Sequence, residues 1–279
     1  MQNRRAVATA ILPFNYVLLQ FSVYSIYQAL CVHPVATPTT RGSVRLALSV
    51  TALRKGEKLN LTRANTLTKE SLARAAKLLA RRDKDLASSF KQHGPPPLWA
   101  RKPGFATLVH IILEQQVSLA SAAALFTRLN KSVVPFRPAQ MLLLGEAHLK
   151  SIGLTRQKAA YCLHLSQSLS EKRLNLNQLS RLSDEDAKTR LMEVKGIGSW
   201  SADIYLLMAL LRQDVWPASD LALAVAVKQL RKLKSIPGPD ELTEFAEGWR
   251  PFRSVAARML WQYYLAQRKE WRNNDPAPR

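Results

Sequence analysis

The sequence predicts an all-α protein, and three observations carry that expectation. Apolar residues recur at helical spacing (i, i+3, i+4, i+7) from Thr68 almost to the end of the chain. No alternation of Val, Ile or Thr of strand length stands out there. Capping residues, prolines and glycines punctuate the pattern into segments of ordinary helix length. The expected architecture is a domain of about nine or ten short helices over residues 68–270, with no internal repeat. An extension, 1–67, precedes it, and a short tail, 271–279, comes after it.

The first helix opens at Thr68, with Leu72, Ala75, Ala76 and Leu79 on one stripe and Lys69, Glu70, Arg74, Lys77 and Arg81 elsewhere. Gly94-Pro95-Pro96-Pro97 breaks the chain, because proline removes the amide donor that a helix interior needs. Phe105, Leu108, Val109, Ile112 and Leu113 then form a stripe whose continuation reaches Gln115 and Gln116. Ser118 is placed to cap a helix carrying Ala122, Leu125, Phe126 and Leu129. Another helix opens near Pro138, and Gly153 ends a short turn over 149–152. Thr155 to Ser170 is helical, with Ala159, Cys162, Leu163 and Ser166 on a face and Arg156 and Lys158 near its start. Ser183 with Asp186 resembles a capping box, Asp replacing the commoner Glu, and opens a helix to Val194. Helices over 200–212, 221–233, 239–247 and 252–268 complete the body, the third with Pro239 in its first turn.

The most informative segment is Leu191–Ala202, where Gly196-Ile197-Gly198 joins two helical patterns. Two glycines allow a tight turn whose amides face outward, and the positive end of the next helix lies beside them. Such a turn binds a phosphate without any side chain, and Lys195 adds charge to the same place. Ile197 is expected to pin the turn into the core. Whether the hairpin's carbonyl groups also hold a structural monovalent cation is left open by the sequence. Asp220 stands before an apolar helix, after Val215-Trp216-Pro217-Ala218-Ser219. Two readings compete for it: a helix N-cap and nothing more, or a carboxylate that stabilises positive charge on a sugar and directs a water.

Composition narrows the partners. The formal charge is +21, from 41 Lys and Arg against 20 Asp and Glu, which favours nucleic acid or an anionic membrane. Residues 1–67 hold eight basic and one acidic residue, 8 − 1 = +7, so 68–279 keeps 21 − 7 = +14 and is basic in its own right. Two cysteines, Cys31 and Cys162, exclude a disulfide framework and a four-cysteine zinc or iron–sulfur site and point to a reducing compartment. The five histidines include no pair at metal-ligand spacing around a carboxylate, so no metal held by side chains is expected.

In the extension, Ala6–His33 has no formal charge and is long enough for a membrane span or signal. Pro13, Asn15, Gln20 and Gln28 and the lack of a small-residue cleavage site argue against both. The acid-poor stretch to Arg63 also suits a transit peptide. The expectation favours a poorly structured extension or an upstream start codon, its targeting role open, and no membrane partner for the main domain.

The hairpin and Asp220, with several more motifs in order, resemble the helix-hairpin-helix, Gly-Pro-Asp superfamily of base-excision DNA glycosylases, nearest its 3-methyladenine glycosylase II branch. The resemblance covers most of residues 68–270: Phe105-Ala106-Thr107-Leu108-Val109, Ile112 to Ser118, Gly153 to Ala159, the hairpin over 191–202, Asp214-Val215-Trp216-Pro217 before Asp220, and Trp249 to Ser254. It implies two helical subdomains flanking an active-site cleft. The activity it implies is flipping of a damaged nucleotide from duplex DNA and hydrolysis of its N-glycosidic bond, leaving an abasic site. Alkylated purines of the 3-methyladenine and 7-methylguanine type are the implied substrates, and Asp220 the implied catalytic carboxylate.

Strand-cutting members carry a lysine nucleophile two positions after the second hairpin glycine; Trp200 stands there, so no lyase activity is implied. The resemblance places Trp200, Trp261 and Tyr205 in the base pocket, with core packing the competing reading, the better one for Tyr205 and for the neighbouring Tyr263 and Tyr264. It places Gln115 and Gln116 at the gap-filling wedge, Gln116 the favoured of the two, against ordinary helix termination. Lys195, Gly196, Ile197 and Gly198 would bind phosphate, as would Arg253 and Ser254 if not near Asp220; Arg156 and Lys158 would touch DNA or be solvated. A monomer without cofactor or iron–sulfur cluster is implied, acting on damaged double-stranded DNA in the cytoplasm or nucleoid of a bacterium or the nucleus of a eukaryote. One departure is that 1–67 is neither long enough nor strand-patterned enough to supply the β-rich N-terminal domain of the long form. Two other readings stay open: a non-catalytic DNA-binding module, and a glycosylase for deaminated or mismatched bases.

Overall fold

The computed structural model describes residues 66–274, and the expectations for the extension before them and for 275–279 lie outside the described residues. Twelve helices make up the described chain: α1 Lys69–Arg82, α2 Lys84–His93, α3 Phe105–Glu114, α4 Leu119–Ser132, α5 Pro138–Ser151, α6 Arg156–Ser170, α7 Leu176–Leu179, α8 Asp184–Met192, α9 Ser199–Met208, α10 Leu221–Arg231, α11 Pro239–Glu247 and α12 Arg253–Asn274. No strand occurs among the described residues; one isolated bridge joins Thr66 to Arg212.

Local signals explain most boundaries. Thr68 and Ser71 form a reciprocal capping box at α1. The hydroxyls of Ser118, Thr155 and Ser183 accept from the Ser121, Lys158 and Asp186 amides at the starts of α4, α6 and α8. The sequence shows no break between Thr68 and Gly94, but the chain divides at Asp83, whose carboxylate accepts from the Asp85 and Leu86 amides and starts α2. Asp83 also receives the Trp249 indole at 2.8 Å and Arg231 at 3.2 Å, so tertiary contacts hold the break.

Two further boundaries correct the expectation. Leu67 is 2% exposed and its amide donates to the Leu211 carbonyl, so the domain begins before Thr68. At the other end α12 runs to Asn274, beyond the expected limit at 270.

The helices pack as two groups, as expected. One joins α1, α2, α10 and α11 around α12; the other joins α3, α4, α5 and α6, with α9 lying between α3 and α8. A continuous apolar core runs through both, with Leu72, Leu79, Ile111, Ile112, Leu129 and Trp261 almost fully enclosed. Arg258 sits at its centre with 0% exposure, its guanidinium donating to the carbonyls of Leu98, Ser254 and Leu207. The Leu98 and Leu207 bonds hold the last helix against the α2–α3 connection and the end of α9, the Ser254 bond lies within the helix, and burial lowers the Arg258 pKa to about 9.

Candidate active site

A cavity of about 620 Å³ opens where the two helical groups meet. Four segments line it: the end of α3 at Glu114, Gln115 and Gln116; the start of α6 at Gln157, Lys158 and Tyr161; the hairpin from Met192 to Ser201; and Ser219 to Ala222 at the start of α10. Sequence-distant segments thus converge on one space, which is how a fold of short helices builds a site.

The hairpin is shaped as its residues require. Gly196 has φ +95°, a left-handed conformation that favours glycine, and a Cβ there would overlap the base of the Tyr161 side chain at Cβ, Cγ and Cδ1. Tyr161 therefore backs the turn, and its hydroxyl accepts from Gln157 at 2.7 Å. Ile197 is 4% exposed and anchors the turn, its amide donating to the Val194 carbonyl at 2.9 Å. Lys195 is exposed at the cavity wall, while its amide donates to His164 Nδ1 at 3.1 Å. Gly198 contributes no capping side chain to α9, so the amides of that first turn have no side-chain acceptor at the cap. An anion seated there meets both those amides and the helix dipole. The Gly196 carbonyl accepts from Gln115, so that hairpin oxygen already has a hydrogen-bond partner.

Asp220 lies across the cavity at the N-cap of α10, 3% exposed. Its Oδ1 accepts from the Leu223 amide at 3.0 Å and from Trp261 Nε1 at 3.2 Å; its Oδ2 accepts from Trp200 Nε1 at 2.9 Å. Burial pushes this carboxyl above the ordinary carboxylate range, against the Trp200, Leu223, Trp261 and Ala222 hydrogen bonds, which favour the charged form. A plain N-cap needs only the backbone bond. Two indole donors from α9 and α12 exceed what capping requires and fix the carboxylate's orientation toward the cavity it lines.

The other expected site residues divide. Trp200 is half-buried and lines the cavity with its indole N–H on Asp220. Trp261 is fully enclosed, does not line the cavity and reaches the site only through its N–H, so it is a support for Asp220 rather than a pocket wall. Tyr205 is likewise enclosed, its hydroxyl accepting the Gly104 amide at 3.1 Å, and it is core rather than pocket. Gln115 faces inward, donating to the Gly196 carbonyl at 2.8 Å and to Ser201 Oγ at 2.9 Å. Gln116 is exposed at the cavity edge with φ +56°.

Ser254 is 0% exposed and exchanges hydrogen bonds with the Val215 backbone, out of reach of a surface phosphate. Arg253 is engaged by the Asp214 carboxylate and carbonyl and lies 3.5 Å from Glu247. Both residues brace the Asp214–Pro217 segment that leads to Asp220; neither is a free phosphate ligand. Lys158, expected at the surface, is 8% exposed in the cavity wall. Tyr161 is a wall residue that sequence reasoning missed, although a Tyr four residues after Gln157 shares its helix face. Among the described residues no three His, Cys, Asp or Glu side chains gather as metal ligands.

A family model described as the HhH-GPD superfamily base excision DNA repair protein matches residues 109–251, just over half of the 279. The chain belongs to the HhH-GPD superfamily. Within it, the DNA-3-methyladenine glycosylase 1 of Schizosaccharomyces pombe is 27% identical over 184 residues, 64% of this chain and 80% of that protein. A DNA-3-methyladenine glycosylase of Bacillus subtilis is 26% identical over 170 residues, 57% of this chain. The chain spans 64% and 56% of the lengths of two Bacillus subtilis relatives, less than two thirds of each. Among solved structures, the S. pombe 3-methyladenine DNA glycosylase Mag1 in complex with abasic DNA superposes with a TM-score of 0.63 at 26% identity, covering 68% of this chain and 95% of that one. The likeness to a Bacillus halodurans DNA-3-methyladenine glycosidase is comparable, TM-score 0.62 at 26% identity, over 70% and 91% of the two chains.

Proposed function

We propose that the chain is a monofunctional DNA glycosylase that takes a damaged purine, alkylated at a ring nitrogen, into the cavity and hydrolyses its N-glycosidic bond, leaving an abasic site. The observation that carries this reading is Asp220, a buried carboxylate held by two indole N–H groups across the cavity from the Gly196–Gly198 hairpin. In this mechanism the hairpin amides and Lys195 seat the strand by its backbone, and the target nucleotide turns out of the stack. As the bond to the base lengthens, positive charge grows on the sugar. Asp220 stabilises it and accepts a proton from the attacking water. Trp200 offers its ring to the base, an electron-rich face for a cationic alkylated purine. It also stands where a strand-cutting enzyme has its lysine nucleophile, so the strand stays uncut. Double-stranded DNA is the partner, engaged by a monomer; the family membership and the abasic-DNA complex of Mag1 support the DNA reading.

The test is release of free base from methylated duplex DNA. The wild-type chain is expected to release 3-methyladenine or 7-methylguanine, and Asp220→Asn to do so at least about 100-fold more slowly, on the order of one lost stabilising charge or base. No release by wild type, with DNA binding equal in the two forms, would leave a non-catalytic module. With Trp261 and Tyr205 in the core, Trp200 and Tyr161 are the aromatic residues on the cavity wall among the described residues. A panel with deaminated and mismatched duplexes decides between these substrates.

A further inference from the structure

The cavity contains a charge that the chemistry above does not use. Lys158 is 8% exposed, and among the described residues no carboxylate lies within ion-pair distance of it. It sits in the first turn of α6, near the positive end of that helix dipole, an unfavourable place for a cation. Burial lowers its pKa, Cys162 being the ionisable neighbour that opposes the shift. A buried ammonium without a counter-ion is destabilising, so its single strong contact needs a reason. Nζ donates at 2.8 Å to the Leu113 carbonyl, one of the last acceptors of α3, which the helix itself cannot satisfy. Cations are favoured at such C-terminal ends.

The residues just beyond α3 give this contact its meaning. Gln115 is bonded to the Gly196 carbonyl and to Ser201, the hairpin and the helix behind it. Gln116 comes next, exposed at the cavity mouth in a left-handed backbone conformation. The turn is thus tied from two sides, to α6 by Lys158 and to the hairpin by Gln115.

We propose that Lys158 is a positioning residue for Gln116: by capping α3 through Leu113 it sets the height at which Gln116 enters the base stack, in register with the phosphate held by the hairpin. This rests on the glycosylase reading in taking the cavity to receive a flipped nucleotide, the hairpin to hold a phosphate and Gln116 to fill the gap in the stack. The role belongs to strand opening, not to bond cleavage.

The experiment therefore reads strand opening without chemistry. A duplex carrying 2-aminopurine, which brightens when unstacked, is titrated with full-length wild type, Lys158→Met, Lys158→Arg, Gln116→Ala and the Lys158→Met/Gln116→Ala pair. Affinity is measured by anisotropy, and folding by thermal melting. Lys158→Met is expected to brighten the probe at least fivefold less at saturation, with affinity within twofold of wild type. Lys158→Arg, which keeps a cationic donor, should recover to within twofold of wild type. The double variant should be no worse than Gln116→Ala, because the two act on one step. Full brightening by Lys158→Met overturns the proposal, as does parallel loss of affinity, brightening and melting temperature, or strictly additive losses in the pair. Opening of the 2-aminopurine duplex by wild type, with no base released from methylated duplex DNA in the separate assay, refutes the glycosylase reading and leaves this inference standing.

Discussion

Asp220 is held between two opposing demands, and these set its pH behaviour. Enclosure raises its pKa, with burial the largest cause, while four donors resist the rise. Since catalysis as proposed needs the charged form, the acid limb of kcat/KM is expected above the ordinary value of 3.8 for an aspartate. For stability the sign is reversed from a salt-bridged carboxylate. A raised folded-state pKa contributes stability that is present below the unfolded pKa and is lost as pH rises through the folded one. The melting-temperature difference, Asp220→Asn minus wild type, should therefore be largest at pH 8 and shrink on acidification. A constant gap across that range would show that ionisation of Asp220 is not what the fold resists. At this scale the sequence was legible where a motif fixes the backbone: the hairpin glycines, Asp220 and Trp200 all line the cavity. Depth was not legible. Helical spacing gives the face on which Trp261 or Tyr205 lies, not how many layers cover it, and Lys158 reads as a solvated cation until α3, 45 positions earlier in the chain, is packed over it.

The elements show the same division between local and tertiary causes. The caps at Ser118 and Ser183, and the helix starts at Thr68 and Thr155, were legible because each signal acts within its own first turn. The α1–α2 break was not, since Asp83 is secured by Arg231 and Trp249 from the far end of the chain. α7, four residues long, is shorter than any helical period can reveal. The hairpin is the element whose geometry is most exposed to test. Gly196→Ala imposes a left-handed alanine and drives its methyl into Tyr161. The expected cost is about 1–3 kcal/mol from the backbone alone, with further loss from the clash, and at least a tenfold fall in DNA affinity. Adding Tyr161→Ala should recover part of the stability but not the backbone strain. Full recovery in the pair, by chemical denaturation, would make the clash the whole effect. At the start of the domain, Leu67→Ala should cost about 2–3 kcal/mol, because a nearly enclosed leucine leaves a cavity there. A change under about 0.5 kcal/mol, the range of surface substitutions, would place the boundary at Thr68 after all.

At the scale of the whole molecule the governing quantity is charge. A formal +21, of which residues 68–279 hold +14, creates an attraction to duplex DNA that is independent of any lesion. Its origin is release of counterions from phosphates, so affinity for undamaged duplex should fall steeply with salt. Six or more phosphate contacts correspond to roughly 10³-fold or greater loss between about 50 and 200 mM salt. The cavity supplies a way to separate this field from the site. Lys195 is exposed at its wall, beside the hairpin, and no carboxylate of the described residues is ion-paired with it. Lys195→Ala should lower the slope of log affinity against log salt by about one and weaken damaged and undamaged duplexes by a similar factor. Trp200→Ala removes no charge, so it should leave the slope unchanged and reduce only discrimination for the damaged base. Isothermal binding at several salt concentrations, on matched duplexes with and without a lesion, measures both. A slope shared by wild type and Lys195→Ala would mean that Lys195 does not touch phosphate. A slope altered by Trp200→Ala would mean that the cavity and the backbone grip are one coupled device rather than two.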